Sequence, residues 1–143
     1  MKHEKDIWHP LSAVQRSLWF QYRIHPETRG LYNVNFCIRI FDRLDAIHLH
    51  GALNTLAARH PILRVRFQEV DGAPSQCVDP NATIEVAVFD VEHLSDEQLK
   101  QRLAEDTIKP FDLVEAPLVR ARIYHRPGRQ CILLLVFDHL ICD

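Results

Sequence analysis

The sequence predicts an α+β fold, a mixed β-sheet with about three helices packed on it, and three observations carry that prediction. An apolar run from Cys131 to Val136 reads as a central strand covered on both faces. Ser12-Ala13-Val14-Gln15 and Ser95-Asp96-Glu97-Gln98 both have capping-box form, in which a serine hydroxyl and a glutamine amide satisfy free backbone N–H groups at a helix start. Between them, two segments alternate apolar with polar residues at the period of a strand that has one wet face. Helix, strand, helix and strand in succession also require at least one crossover, right-handed wherever it joins parallel neighbours.

Each element has a local cause. Val14, Leu18 and Tyr22 recur at helical spacing behind the first capping box, which predicts a helix over about Ser12–Ile24 that stops before Pro26. Gly30 then releases the chain into a half-buried strand, Tyr32–Phe41, with Val34, Phe36, Ile38 and Ile40 on one face. Asp45 can cap a second helix whose Leu49, Ala52, Leu53, Leu56 and Ala57 form one stripe, closed by His60-Pro61. Leu63, Val65 and Phe67 mark the next strand, and Asp71-Gly72-Ala73-Pro74 supplies the turn after it. Shorter strands are expected near Gln76–Val78 and Ile84–Phe89. The second capping box, with Leu94 and Leu99 at the positions of a hydrophobic staple, starts a third helix that runs to about Ile108. Leu118–Tyr124 and Gln130–Phe137 flank Arg126-Pro127-Gly128-Arg129, a hairpin connection of four to five residues.

Composition removes several function classes. A chain of 143 residues, 47% hydrophobic and 25% charged, has room for one core. Seventeen Lys and Arg against nineteen Asp and Glu leave a formal charge of −2, which gives no field for gripping phosphate backbones or anionic lipid, so neither nucleic acid nor membrane is an expected partner. No apolar stretch is long enough to span a bilayer, and residues 1–6 lead into no secretory segment, so the expectation is a cytoplasmic protein. Cys37, Cys77, Cys131 and Cys142 contain no C-x-x-C pair, and no disulfide is expected.

The chain closes on Phe137-Asp138-His139-Leu140-Ile141-Cys142-Asp143, directly after the most apolar strand, and the end of a stiff strand is where a sheet can aim side chains into a crevice. His139 is the first candidate for a catalytic group. Three segments together then point to a family. Leu11-Ser12-Ala13-Val14-Gln15-Arg16-Ser17-Leu18-Trp19-Phe20, Arg59-His60-Pro61-Ile62-Leu63-Arg64-Val65-Arg66-Phe67 and Asp138-His139-Leu140-Ile141-Cys142-Asp143 resemble, in order and spacing, the first three core motifs of nonribosomal peptide synthetase condensation domains. Leu31-Tyr32-Asn33-Val34, Pro110-Phe111-Asp112-Leu113 and Ala116-Pro117-Leu118-Val119-Arg120 also look like family phrases, so the resemblance covers nearly the whole chain.

The resemblance implies one lobe of a chloramphenicol-acetyltransferase-like fold, in which two lobes form a V around a tunnel. Residues 1–143 would be the N-terminal lobe, truncated where the HHxxxDG-type motif still requires its glycine, and the C-terminal lobe would be a missing partner. Peptidyl or aminoacyl carrier proteins would be the other partners, bringing substrates on phosphopantetheine arms; no cofactor is expected to bind directly, and no metal. A lobe with its inner surface uncovered could also dimerise. The implied chemistry is attack by an acceptor amine on a donor thioester. His139 matches the second histidine of the motif, and a neutral imidazole can take the amine's proton at physiological pH. General-base help is worth ~10²–10⁴-fold, or roughly 3 to 5 kcal/mol, whereas alignment of two reactants can supply about 7–11 kcal/mol. His139 is therefore expected to orient the amine at least as much as to deprotonate it.

Asp143 matches the motif's aspartate, which in the family looks structural and pairs with an arginine; Arg64 is the candidate partner. Asp138 stands where the motif usually carries its first histidine. Asp138 and Asp143 together also fit the D-x-x-x-x-D opening of heterocyclisation domains, relatives that condense and cyclodehydrate a Cys, Ser or Thr acceptor. Condensation is the favoured reading because His139 is retained and the first motif ends Leu18-Trp19-Phe20. Asp138 could instead accept backbone N–H groups at the strand end. A noncatalytic carrier-docking lobe is a further alternative, as is an acyltransferase that uses free coenzyme A.

Other residues carry weaker signals. His48-Leu49-His50 would point its two rings to different faces of a helix, which disfavours a shared metal site. Cys142 reads as packing. Trp19 and Phe20 cannot both face one core. Arg59, Arg64 and Arg66 could form a basic patch for a phosphopantetheine arm, although an internal ion pair for Arg64 and a solvated Arg66 fit at least as well.

Overall fold

A computed structural model describes residues 6–142 of the chain. The α+β class holds, with the strands divided between two sheets. In chain order the elements are β1 (His9–Pro10), α1 (Ala13–Ile24), β2 (Val34–Ile40), α2 (Ala46–Arg59), β3 (Val65–Val70), β4 (Ala73–Val78), β5 (Val86–Asp90), α3 (Asp96–Ile108), β6 (Val119–His125) and β7 (Cys131–Phe137). Short 3-10 helices lie at Pro26–Tyr32, Pro61–Arg64 and His139–Ile141. One sheet runs β1-β4-β3 and the other β2-β7-β6-β5. All pairs are antiparallel except β5 with β6, the expected crossover, which carries α3.

Both capping boxes form. Gln15 N–H donates to Ser12 Oγ at 3.1 Å and Ser12 N–H to Gln15 Oε1 at 2.9 Å; Ser95 and Gln98 repeat the exchange at the start of α3. Asp45 caps α2 through Ile47 and His48 N–H. The β3–β4 turn is tighter than the sequence suggests. Asp71 and Gly72 alone make it, both at positive φ as a two-residue turn of this hand requires, and Ala73-Pro74 already belong to β4. The second hairpin uses a five-residue connection closed by Arg126 N–H to Gln130 C=O at 2.8 Å.

β7 is the central strand foreseen from its apolar run. Its Cys131 and Leu133 pack with Ile123, Leu44, Ala46 and Leu49 on the α2 side, and Ile132, Leu134 and Val136 pack with Leu99 and Leu103 on the α3 side. Each such side chain fully removed from water stabilises the fold by roughly 1.5–3 kcal/mol. The largest cluster joins α1, α2 and β3 to the start of β6, through Trp19, Tyr22, Leu53, Ala57, Phe67 and Leu118.

Some expected faces are wetter than their pattern suggests. On β2, Phe36 is 55% and Ile38 46% exposed, because β2 is the sheet's edge and α2 lies toward β5 on the far side. Ala52 and Leu56 of the α2 stripe are not buried, so the buried stripe narrows to Leu53 and Ala57 with Leu49 half-buried. Ile84 is buried but precedes β5, its N–H held by Asn54 Oδ1 at 2.8 Å. Among the described residues no helix is long and apolar enough to cross a membrane.

Candidate active site

The site begins where β7 stops. Asp138 leaves the strand with extended backbone angles and caps the 3-10 helix His139–Ile141. Its N–H donates to Leu118 C=O at 3.1 Å, which ties the strand end to the start of β6. Its carboxylate Oδ1 accepts from Leu140 N–H at 2.9 Å and from the Tyr22 hydroxyl at 3.3 Å. Leu140 and Ile141 are buried in the main cluster. The turn is therefore anchored on both sides of His139, which stays half-buried while its neighbours go inward.

The His139 ring has a defined polarity. Nδ1 lies against the Cys142 carbonyl oxygen, and a carbonyl offers only lone pairs, so Nδ1 must carry the proton. In the neutral ring Nε2 is then the basic nitrogen, and no described residue hydrogen-bonds to it. The ring lines a cleft of about 270 Å³ whose other walls include Val14, Gln15 and Leu18 of α1, Ile62 and Gln76. Gln15 Nε2 donates to Leu140 C=O at 3.0 Å, which fastens the wall of the cleft to the turn.

Burial pushes the Asp138 carboxyl above the ordinary carboxylate range, and the Leu140 N–H, the Tyr22 hydroxyl, His139 and Arg29 pull it only partly back. Burial, and then the negative charge of Asp138, push the Tyr22 hydroxyl well above the ordinary tyrosine range. A phenol held protonated is the right donor for a buried carboxylate. The arrangement can present one basic nitrogen to a partly enclosed space, with the neighbouring Asp138 carboxyl not lining that space.

The sequence candidates fall into place unevenly. Asp143 lies outside the described residues, and with it the expected pairing to Arg64. Arg64 sits in the 3-10 helix before β3 and gives Nε to Ala57 C=O at 2.9 Å and Nη1 to Asp79 C=O at 3.4 Å. That satisfies a carbonyl of the last turn of α2, where a cation also meets the negative end of the helix dipole. Arg66, expected to be solvated, is instead half-buried, paired with Asp6 at 2.7 Å and stacked on Trp8. With Arg64 and Arg66 so occupied, no basic patch forms from them and the exposed Arg59.

Cys142 is half-buried with Sγ 3.6 Å from Asp138 C=O. His48 and His50 go to Asp45 and Glu85 respectively. Trp19 is core and Phe20 is half exposed. Val14, expected on the core face of α1, is 67% exposed and lines the cleft instead. Two site residues have roles that the sequence pattern does not announce. Gln15 has the place of a capping residue and Tyr22 that of a core residue, although their spacing of seven puts both on one helix face.

Comparison with known proteins bears on this geometry. The chain matches the Condensation domain family over residues 7–143. Linear gramicidin synthase of Brevibacillus parabrevis, in one of its component proteins, is 36% identical over 143 residues, 97% of this chain and 3% of that protein. Surfactin synthase subunit 2 of Bacillus subtilis (strain 168) is 32% identical over 141 residues, 98% of this chain and 4% of that protein. Among solved structures, a variant of the starter condensation domain of the rhizomide synthetase superposes with a TM-score of 0.83 at 19% identity, covering 96% of this chain and 33% of that one. A four-domain nonribosomal peptide synthetase bound to AMP and glycine gives a TM-score of 0.83 at 24% identity, covering 100% of this chain and 11% of that one. The chain thus spans about a third of the solved single domain and a few per cent of the synthetases it matches.

Proposed function

The chain belongs to the condensation-domain family, and from that premise we propose that it supplies the histidine-bearing lobe of a site that joins two carrier-bound substrates by an amide bond. The observation that carries the proposal is the pose of His139, whose ring lines a cleft with no described residue bonded to Nε2 while Nδ1–H is spent on the Cys142 carbonyl. In the proposed reaction the acceptor amine attacks the donor's thioester carbon, and Nε2 takes the proton the nitrogen loses. Collapse of the tetrahedral adduct breaks the carbon–sulfur bond, and the departing thiolate receives that proton. The products are an amide and a free phosphopantetheine thiol on the donor carrier.

The pose of Asp138 supports condensation over cyclodehydration. Its carboxylate is buried, occupied by Leu140 N–H and the Tyr22 hydroxyl, and does not line the cleft, which suits a support for the turn and not a second base. Asp143 and Arg64 are proposed as further supports. The chain as one lobe of a two-lobed domain, completed by a C-terminal lobe and served by carrier proteins, follows from the same reading.

The test is single-turnover amide formation between loaded carrier proteins, with the chain joined by a C-terminal lobe in cis or in trans. His139→Ala is expected to slow turnover by no more than the ~10²–10⁴-fold of general-base help and to weaken acceptor binding as well. Unchanged turnover removes His139 from the mechanism. Carrier binding without any turnover, even with the second lobe present, would point to a docking lobe.

A further inference from the structure

We infer that Tyr22 is a positioning residue for His139, acting through Asp138; the inference rests on the reading of His139 given above. Helix α1 touches the turn that bears His139 at two points seven residues apart. Gln15, in the first helical turn, donates Nε2 to the Leu140 carbonyl at 3.0 Å. Tyr22, two turns further on, donates its hydroxyl to Asp138 Oδ1 at 3.3 Å. That same oxygen accepts the Leu140 N–H at 2.9 Å. The peptide units around His139 are thus gripped on the N–H side through Asp138 and on the carbonyl side through Gln15.

The Tyr22 contact is a built one. The side chain is 1% exposed and Asp138 is 1% exposed, so neither group can turn to water if the other is lost. The Tyr22 ring is fixed by Tyr32, with centroids 5.8 Å apart, so the hydroxyl has little choice of direction. The hydrogen bond from His139 Nδ1 to the Cys142 carbonyl spans the whole 3-10 helix from first residue to C-cap, so it reports the shape of that turn. Slackening of the cap at Asp138 lets the turn open and frees the ring to take its other tautomer. Arg29, the remaining charge that acts on both Tyr22 and Asp138, has a buried Nε without a partner among the described residues and is left unchanged in the test.

The experiment is a long-range ¹H–¹⁵N correlation spectrum of the chain labelled at histidine nitrogen, recorded above the imidazole titration range, which reads which ring nitrogen of His139 carries the proton. The wild-type chain is expected to show Nδ1–H. Tyr22→Phe, which keeps the ring and removes only the hydroxyl, is expected to lower the ratio of Nδ1–H to Nε2–H by about fivefold, the equilibrium weight of one ordinary hydrogen bond. Ile123→Ala, a core variant on β6 in a cluster separate from the one that holds Tyr22, Leu140 and Ile141, controls for general loosening and is expected to leave the ratio alone.

A folded Tyr22→Phe chain with the wild-type ratio overturns the inference, as does an equal change in Ile123→Ala. Should Tyr22→Phe not fold, 3-fluorotyrosine at position 22 keeps ring and hydroxyl while strengthening the donor. It is expected to raise the Nδ1–H share, and an unmoved ratio overturns the inference. A wild-type chain with no Nδ1–H at all defeats instead the His139 pose on which the proposed function stands, so the two failures are distinct.

Discussion

Replacement of Asp138 by Ala and by Asn separates what its carboxylate accepts from what its charge costs. Both substitutions delete a buried charge, but only Ala deletes the acceptor. In Asp138→Ala the Leu140 N–H and the Tyr22 hydroxyl lose the oxygen they share, and both lie in the interior, at 3% and 1% exposure. A buried donor left without a partner costs about 1–3 kcal/mol, so two of them set a loss of roughly 2–6 kcal/mol for Ala relative to Asn, whose amide oxygen can stand in the same place. Urea denaturation followed by the fluorescence of Trp8 and Trp19 measures both variants. An Ala variant as stable as the Asn variant would refute the capping argument.

The same pair gives a pH dependence with a defined sign. Burial holds the Asp138 carboxyl above its ordinary range, so the native chain binds that proton more tightly than the unfolded chain does. The stabilisation from this group is therefore complete below the unfolded value of about 3.9 and is lost as pH rises through the folded value. Asn does not titrate. The stability of the wild-type chain relative to Asp138→Asn should fall as pH rises through that window and level off above it. The groups that face the carboxyl, Tyr22, His139 and Arg29, are present in both chains, so their own titration largely cancels in the difference. A wild-type chain that gains on the Asn variant with rising pH would invert the assignment.

Two further outcomes test the frame around the site. Gly30→Ala would drive a Cβ into the Ile108 carbonyl oxygen, a backbone atom that cannot turn aside, so the end of α3 must move; a loss of at least about 3 kcal/mol is expected in urea denaturation, and a loss below about 1 kcal/mol would mean that the two segments are not in contact. Burial pushes the Asp106 carboxyl up, but Tyr124, Arg102 and Arg122 outweigh it and hold the group below its usual range. That stabilisation is present above the unfolded value and lost as pH falls through the folded one. Asp106→Asn should then cost about 3–5 kcal/mol at neutral pH and progressively less in acid, and a cost independent of pH would refute the pairing.

Legibility in the sequence followed the range of the interaction. Both capping boxes, the Asp45 cap and the buried β7 were readable because each is decided by residues within a few positions or by burial on both faces. The division into two sheets was not, since strand order is set by contacts between β4 and β1 or between β2 and β7, tens of residues apart. Wetness of the β2 face was hidden for a related reason. Alternation tells which side chains share a face, and only the placement of α2 tells whether anything covers that face. At the site, His139 was legible as a polar residue ending a buried strand. Tyr22 was not, because an apolar spacing pattern cannot distinguish a ring that packs from a ring whose hydroxyl is the point.

The phrases that identified the family between its motifs prove to be joined by one structural task. Helix α3 carries no basic residue in its last turn, so its terminal carbonyls and the negative end of its dipole need partners from elsewhere. Arg120, from the start of β6, gives Nη1 to Asp106 C=O at 2.9 Å and Nη2 to Lys109 C=O at 3.0 Å, with its guanidinium 4.1 Å from the centre of the Phe111 ring. Asn33 gives its amide to Thr107 and Lys109 C=O at 2.8 and 3.0 Å, and Gly30 makes room for the Ile108 carbonyl. Segments near residues 30, 110 and 120 thus meet at one helix end. The 3-10 helix Pro26–Tyr32 that leads into this junction also carries Tyr32, which packs against Tyr22, and Arg29, whose charge acts on Asp138. By the Tyr22 inference, substitutions at Asn33 or Arg120, which loosen the end of α3, should also shift the His139 tautomer ratio read by the ¹H–¹⁵N spectrum without touching the ring.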